Sequence, residues 1–599
     1  MRISREWLQT YFDKELPTAE ALAEALTFHA FEIESVENNI LDVKVTPNRG
    51  HDCLSHRGIA KELSAILDIP LKQDPLRGKA ELTPTTDSVA VSIEEPKLCR
   101  RYIAGHIRGV NVGPSPEWLR KRLEAIGQRS INNIVDATNY VMFGLGQPLH
   151  AFDAGELKKG KNGYAIAVRT AKKGEKMTTL DGEAHTFNDS TLLITDANTK
   201  KPIGIAGVKG GKEAGVNEKT TEIILESANF DGVSVRRSAQ AQKLRTDASE
   251  RFQQVISPEL AAYGIRAAAD LIIELAGGEL VGFADEYPSL LPSAEIIISA
   301  SKVNDVLGRS LAKSDMADVL ARLDFPFKAA QGTFTIQVPF ERLDLSIPED
   351  IAEEIGRIIG YDKIPSAELS VFSDKPPVNR NFFWSERIRE DLMSDGYSEI
   401  HTSVFRESGE REVLNKVGGE RPYLRANLTD GLSEALERNV RNKELLGIPE
   451  VRLFEIGSVW RNGKEELCVG VASEKGGVSE KLLSGMAEEL PKGTSYESLP
   501  TSPAERYQSF SRYPYIVRDV ALWVPEGTKA DEVLGIIRAN AGELLVRSEK
   551  FDEFKKGDKI SYAFRLVFQS FDRTLTDDDA NSRMESVYAA LNSKGFEIR

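Results

Sequence analysis

The densest collection of groups able to do chemistry is the stretch ERLDLSIPEDIAEEIGRIIGYDKIP. Asp350, Glu353 and Glu354 fall at i, i+3 and i+4, neighbours on one helical face, with Asp344 just upstream at a strand end. Four hard oxygen donors from one short segment suit Mg²⁺, with waters completing an octahedron. Acids in a first helical turn also answer the helix dipole, and Glu353 is spaced to pair with Arg357, so spacing alone leaves both readings open. Ser346 and Glu349 have the spacing of a capping box, Pro348 suits a first turn and Gly360 a C-terminal stop. Ile351, Ile355 and Ile358 are the expected core face of this helix.

A second collection, RSINNIVDATNYVMFGLGQPLHAFD, places Asn132, Asn133, Asp136, Asn139 and His150 near tight glycine turns. His150 could serve as an acid/base or ester-contacting group. No nucleophile–base spacing accompanies it, and an Asn-rich loop with one satisfied histidine is the competing reading. The glycines of IAGVKGG (205–211) would let a backbone approach a ligand closely, but the motif lacks the GK(S/T) ending of a phosphate loop. Two basic clusters have the character of phosphate contacts or of solvated helix faces: Trp118, Arg120, Lys121, Arg122 and Arg129 in one, Arg236, Arg237, Lys243 and Arg245 in the other.

The elements that must position these groups belong to a long chain. Its 599 residues suggest about four domains, and 77 basic against 92 acidic residues leave a net charge of −15. That balance argues against coating nucleic acid with the whole surface while allowing local basic grooves. No apolar run approaches the ~18 residues of a membrane span, and MRISREWLQTYFD lacks the features of a signal peptide. Three scattered cysteines (Cys53, Cys99, Cys468) exclude a disulfide framework and a thiolate zinc site, so a cytoplasmic location is expected.

Pro-rich punctuation near 68–90, 287–292, 365–377 and 491–503 marks the expected boundaries. The first segment reads as helices and short strands, with Thr18 capping a helix that carries Leu22, Leu26 and Phe28 toward a core, and a second helix within Leu54–Leu67. Segment 91–286 reads as mostly strands, and 294–364 as a helix, a strand and a final helix. Segment 507–599 reads strand, helix, two strands, helix, strand, a small split βαβ sandwich.

Nine phrases in order carry a resemblance. They include SREWLQTYFD, VTPNRGHDCLSHRGIAKEL, INNIVDATNYVM with GQPLHAFD, GIAGVKGG, ILESANFDG, RTDASERF, the acidic helix, VRLFEIGSVW and SRYPYIVRDVAL with FRLVFQSFDRTLTDDDAN. Together they resemble the β subunit of bacterial-type phenylalanine–tRNA ligase over nearly the whole chain. The resemblance implies a multidomain α+β protein with five segments: an N-terminal α/β segment at 1–90 and a B3/B4 editing domain at 91–287, then a B5 domain with a Mg²⁺ site at 293–366. A trimmed class II synthetase-like antiparallel domain without catalytic residues (372–505) and a ferredoxin-fold anticodon-binding domain (507–599) complete it.

It further implies an (αβ)₂ heterotetramer in which the α subunit, using ATP, charges tRNA(Phe), while this chain hydrolyses mischarged Tyr-tRNA(Phe). By motif match, Glu226 accepts the tyrosine hydroxyl, and His150, Asn139, Ala206 and Gly207 line the editing pocket. Asp344, Asp350, Glu353 and Glu354 become the Mg²⁺ ligands. Tyr513, Arg518, Arg565 and Arg573 become possible RNA contacts. The family's OB-fold insert between AFEIESV and VTPNR is absent, because the chain runs AFEIESVENNILDVKVTPNR. The competing functions are a non-editing, tRNA-docking subunit and a free-standing tRNA-binding or deacylating protein.

Overall fold

The computed structural model describes residues 1–366, 368–369, 377–415, 419–487, 495–499 and 510–599. They form two compact units, Met1–Glu368 and Leu369–Arg599. The Pro-rich breaks expected at 365–377 and 491–503 lie largely outside the described residues.

The N-terminal part of the first unit opens with helix α1 (Ala19–His29), whose N-cap Thr18 accepts from the Ala21 N–H. Leu22 and Leu26 are buried as the periodicity requires, but Phe28 is 59% exposed, because it falls on the opposite side of the helix. Strands Ile33–Glu37 and Ile40–Val43 follow directly in a hairpin, its two turn residues Asn38 and Asn39 at φ 51° and 65°. Two positive-φ residues are what a tight hairpin turn matching strand twist demands, and Asn tolerates them best after Gly. Helix α2 (His56–Leu67) buries Ile59 and Leu63.

The next segment is layered. Strand β1 (Cys99–Arg108), helix α3 (Asn133–Leu145), and strands β2 (Leu149–Asp153), β3 (Lys201–Ile205) and β4 (Glu222–Phe230) come first. Helices α4 (Gly232–Gln242), α5 (Asp247–Gln253) and α6 (Leu260–Ala276) and strand β5 (Glu279–Glu286) follow, and a further helix, Glu117–Ala125, and further strands, Tyr164–Thr170 and Leu192–Asp196 among them, lie between these elements. The expectation of mostly strands therefore undercounts the helices, and the stretch read as an Asn-rich loop is helix α3. Asn132 caps it by accepting from the N–H groups of Ile134 and Val135, and Gly146 ends it at φ 91°. An Asn cluster signals a cap as readily as a loop.

An antiparallel sheet has the order β5-β1-β4-β2. Strand β4 is buried on both faces. Ile223 and Leu225 pack with Ile134, Ala137 and Val141 of α3 and with Ile265, Ala268 and Ile272 of α6. Ile224, Ala228 and Phe230 point the other way, into a core shared with Ile166, Val168, Leu193, Ile203 and Ile205 of a second, five-stranded sheet. Period-2 alternation divides one strand between two cores.

The last part of this unit ends in helix α7 (Pro348–Ile359), with Ile351, Ile355 and Ile358 buried as predicted and Gly360 closing it at φ 103°. Its cap differs from the expected Ser346–Glu349 box. The Asp350 carboxylate accepts from the N–H groups of Ser346 and Ile347, at 2.7 and 2.9 Å, while Glu349 pairs with Lys302.

Beneath α7 lies a closed network of buried charges. Arg357 donates to Glu62 of α2 at 2.5 Å and to both oxygens of Glu354 at 2.6 and 2.7 Å. Arg49 donates to Glu62 and Asp52, and Arg342 to Glu354 and Asp344. The guanidinium groups hold the Glu354 carboxyl well below the usual carboxylate range against the opposing pull of burial, and the Glu62 carboxyl down to about 2 likewise.

In the second unit, residues Ile516–Pro525, Ala530–Ala541, Leu545–Lys556, Lys559–Phe568, Asp577–Ser593 and Glu597–Ile598 form strand, helix, strand, strand, helix, strand in the anticipated order. Val520, Leu522, Phe564 and Leu566 of the sheet pack on Val533, Ile537, Met584 and Leu591 of the two helices. Before it, Thr429–Val440 forms a helix, and Arg425, four residues ahead of it, is buried against Glu455 at 2.6 Å. All three cysteines are free and buried.

The network predicts a specific weakness. Arg357→Met leaves Glu62 and Glu354 each short of a buried counter-charge, and should cost about 3–5 kcal/mol of unfolding free energy for the first unit in urea titration. Adding Glu354→Gln to that variant should recover part of the loss.

Candidate functional site

The alternation of β4 decides where chemistry can occur. Glu226 lies in the row Ile224, Ala228, Phe230 and so projects between the two sheets, not toward solvent. Its residue is 6% exposed. Directly across the ladder on β2 stands His150, and a directly opposed pair places both side chains on one face. On the other side, β1 sets Ala104 opposite Glu226 and Tyr102 opposite Ala228, so Tyr102 reaches Glu226 diagonally. The Tyr102 hydroxyl donates to Glu226 Oε2 at 2.8 Å. Glu226 Oε1 has no partner among the described residues.

Burial in this apolar row pushes the Glu226 carboxyl up to about 7, only partly countered by the Tyr102 hydrogen bond. Burial pulls His150 the other way, down to about 4, so its imidazole is neutral at neutral pH. His150 Nε2 is buried with no hydrogen-bond partner, and the ring meets Phe152 edge-on at 4.6 Å between centroids. An unsatisfied buried ring nitrogen beside a half-satisfied carboxyl is costly unless something else binds there.

These groups face a cavity of about 190 Å³ lined by Leu149, His150, Phe152, Gly207, Glu226 and Phe252, among others. Its size is that of one aromatic ring with a little to spare, since a cavity of roughly 150 Å³ admits benzene. The IAGVKGG turn forms one wall. Gly207 sits at φ 70°, and a Cβ there would lie 2.8 Å from Val235 of α4. A Cβ on Gly210 would lie 2.5 Å from His150 Cε1, so the backbone presses on the imidazole in a way only glycine permits. Thr246, the N-cap of α5, donates through its hydroxyl to the Val208 carbonyl at 2.9 Å and ties this turn to the helix.

Of the predicted pocket residues, His150, Glu226 and Gly207 are brought together here. Ala206 is buried in the adjoining core and is not among the lining residues. Asn139 is not brought to the cavity: it lies on α3, which packs on the opposite face of the sheet. Tyr102, Phe252 and Gly210 were not anticipated. Gly210 was legible, since it belongs to the glycine motif already noted. Nothing local links Tyr102 to a carboxylate far along the chain.

The four predicted metal ligands are only partly assembled. Asp344, Asp350 and Glu353 border one open recess beside His51. Glu354 does not line it, because both its oxygens are taken by Arg342 and Arg357, not by solvent or a cation. Asp344 accepts from Arg342 through both oxygens, at 3.0 and 2.7 Å. A hydrated Mg²⁺ in this recess would meet Oδ1 of Asp350 and the Glu353 carboxylate directly, and Asp344 only in exchange for its Arg342 bonds. Among the described residues, one tighter group of potential ligand atoms exists, Asp52, Cys53 and Glu62, and Arg49 already donates to all three.

The possible RNA contacts of the second unit are engaged within the chain. Arg518 bonds Asp577 and Asn581, Arg565 bonds Asp519 and Glu444, Arg573 bonds Asp579, and the Tyr513 hydroxyl accepts from Arg512.

Comparison with known proteins agrees with this architecture. Family models match a B3/4 domain at 98–277, a tRNA synthetase B5 domain at 296–361 and a ferredoxin-fold anticodon-binding domain at 511–599. The phenylalanine–tRNA ligase beta subunit of Syntrophus aciditrophicus is 32% identical over 98% of this chain and 83% of its own length. That of Moorella thermoacetica is 32% identical over 95% and 81%. A third, from Geobacter metallireducens, is 36% identical over 72% and 54%. The family models thus cover the cavity-bearing domain, the acidic helix and the C-terminal sandwich, the relatives align along almost all of the sequence, and the chain belongs to the phenylalanine–tRNA ligase beta subunit family.

Proposed function

We propose that this chain is the accessory and editing half of an (αβ)₂ ligase in the cytoplasm. The partner α subunit charges tRNA(Phe) from ATP and phenylalanine, and the pocket around Glu226 hydrolyses Tyr-tRNA(Phe). The five-segment division at 1–90, 91–287, 293–366, 372–505 and 507–599 is part of this reading, and the three family matches fall inside three of the segments. No helix among the described residues is long and apolar enough to cross a membrane.

The observation that carries the editing role is a ring-sized apolar cavity with one unpartnered carboxyl oxygen in its wall. A tyrosine side chain fills the cavity and its phenol donates to Glu226 Oε1, while Tyr102 holds Oε2 in place. Phenylalanine in the same position leaves that oxygen buried and unpaired, a difference of about 1–3 kcal/mol. A site built around a hydroxyl rejects the analogue lacking it far better than an apolar pocket rejects an added hydroxyl. The residues lining the cavity include no hydroxyl or thiol nucleophile. In this reading water is the attacking group, and neutral His150, with a free ring nitrogen, is suited to orient it.

Glu226→Ala should lower kcat/KM for Tyr-tRNA(Phe) deacylation by about tenfold or more, while charging by the assembled ligase stays near wild type. Deacylation by this variant at the wild-type rate would sink the editing role and favour a docking-only subunit. A stable wild-type chain that never associates with an α subunit would favour the free-standing reading.

Glu226 also predicts a pH signature. The unfolded chain loses this proton near the ordinary value of 4.5 and the folded chain near 7, so folded stability falls as pH rises between them, by roughly 3 kcal/mol in full above pH 7. Glu226→Gln should accordingly raise the melting temperature at pH 8 more than at pH 5, and remove any inflection near pH 7 from the deacylation profile.

Mg²⁺ enters this reading through Asp344, Asp350 and Glu353, where it would join α7 to the turn that carries Asp344. Glu353 is exposed and makes no hydrogen bond among the described residues. Glu353→Gln should leave the metal-free melting temperature unchanged and abolish its rise on adding Mg²⁺. Glu354→Gln should lower the melting temperature with or without the ion.

A further inference from the structure

We propose that the groove on the far side of α5 from the editing cavity binds the single-stranded 3′ end of tRNA through its phosphates and base edges. This rests on the reading of the cavity as the site for the esterified amino acid. Helix α5 has two working faces. Ala248 and Phe252, four residues apart, line the cavity. Glu250, Gln253 and Gln254, about half a turn around the helix, line a separate groove of about 500 Å³ together with Gln240, Lys243 and Arg245.

The groups in this groove are of the kind that bind a polynucleotide strand. Lys243 is exposed and forms no ion pair among the described residues. It ends α4 in a left-handed conformation at φ 55°, with its N–H bonded to the carbonyls of Ala239 and Gln240, so the side chain leaves from a fixed point. The amide groups of Gln240, Gln253 and Gln254 have no hydrogen-bond partner among the described residues. Each offers a donor and an acceptor to a base edge or a ribose hydroxyl. Arg245 pairs only with Glu250 at the surface, its side chain 86% exposed, and such a pair gives way readily to a phosphate. Farther along α4, Arg236 and Arg237 are also exposed and unpaired among the described residues, extending the positive edge.

Continuity supplies the rest. An aminoacylated 3′ end delivers its amino acid to the cavity with the preceding nucleotides still attached. Those nucleotides need a surface within one helix diameter of the cavity. The α4–α5 connection, Lys243 to Thr246, is also joined to the cavity wall by the Thr246 hydrogen bond to Val208.

The test uses the full-length chain and a fluorescent hexaribonucleotide ending in CCA, with affinity measured across a range of salt. Lys243→Gln should weaken binding several-fold and reduce the salt slope by about 0.7, the value of one phosphate contact on a single strand. Lys243→Arg should retain both. Equal affinity and slope for wild type and Lys243→Gln would overturn the proposal. So would loss of α-subunit association in Lys243→Gln with oligonucleotide binding intact, which would mark the groove as a protein contact. A second arm separates this proposal from the editing reading. Lys243→Gln should raise KM for Tyr-tRNA(Phe) but leave hydrolysis of tyrosyl-adenosine, which lacks the preceding nucleotides, unchanged. Wild-type chain that hydrolyses neither substrate would refute editing, while the oligonucleotide titration still decides the groove.

Discussion

One strand, Glu222–Phe230, carries the constraint on which the first unit depends. It is the partner of two other strands and belongs to two cores, so its register cannot move without exchanging their contents. A shift by one residue would send Glu226 into the helix layer and Leu225 into the cavity. Both outcomes are expensive: a carboxyl among alanines and isoleucines, and a cavity with no acceptor. The hydrophobic residues on either side of Glu226 therefore hold it where solvent would otherwise take it, and the raised pKa follows from that position alone.

The charged network under α7 follows the opposite logic. There, carboxylates are buried with counter-charges already in place. Glu62, Glu354 and Asp344 are each matched by one or two guanidinium groups, which outweigh burial and hold their pKa values down, where that of Glu226 is pushed up. Such a network fixes α2 against α7 with directional contacts but adds little net stability over an apolar packing of the same shape. It also explains the division among the four acids, three on α7 and Asp344 ahead of it. Glu354 faces inward and serves the network, Asp350 serves the helix end through one oxygen, and Asp344, Asp350 and Glu353 border the open recess.

What could be read from the sequence follows the range of the interactions involved. The core stripe Ile351, Ile355, Ile358, the Thr18 cap and the six-element order of the C-terminal sandwich depend on neighbours three or four residues away, and all are present. Less is legible where a distant partner decides. The choice between metal ligand and ion pair at Glu354 turns on Arg342, and Tyr102 reaches Glu226 only because two strands pair. Asn139 shared a motif with His150, but a helix and a strand carry them to opposite faces of one sheet. Motif match named His150, Glu226 and Gly207; alternation along β4 and β2 is what sets Glu226 and His150 on one face and leaves Asn139 on the other.

The charge distribution completes the same argument. A net charge of −15 repels a polyanion, so any RNA surface must be local, and what distinguishes one cation from another is whether an acid already holds it. In the C-terminal sandwich, Arg518, Arg565 and Arg573 are each committed to a carboxylate, and RNA contact through these three would have to exchange one pair for another. Along α4 and its end, Arg236, Arg237 and Lys243 have no ion pair among the described residues. The hairpin at Asn38–Asn39 closes in two residues and presents no further domain at that point. Three cations without an ion pair among the described residues thus lie on or at the end of a helix packed against the cavity wall, and a strand attracted to them is held beside the groups that act on its end.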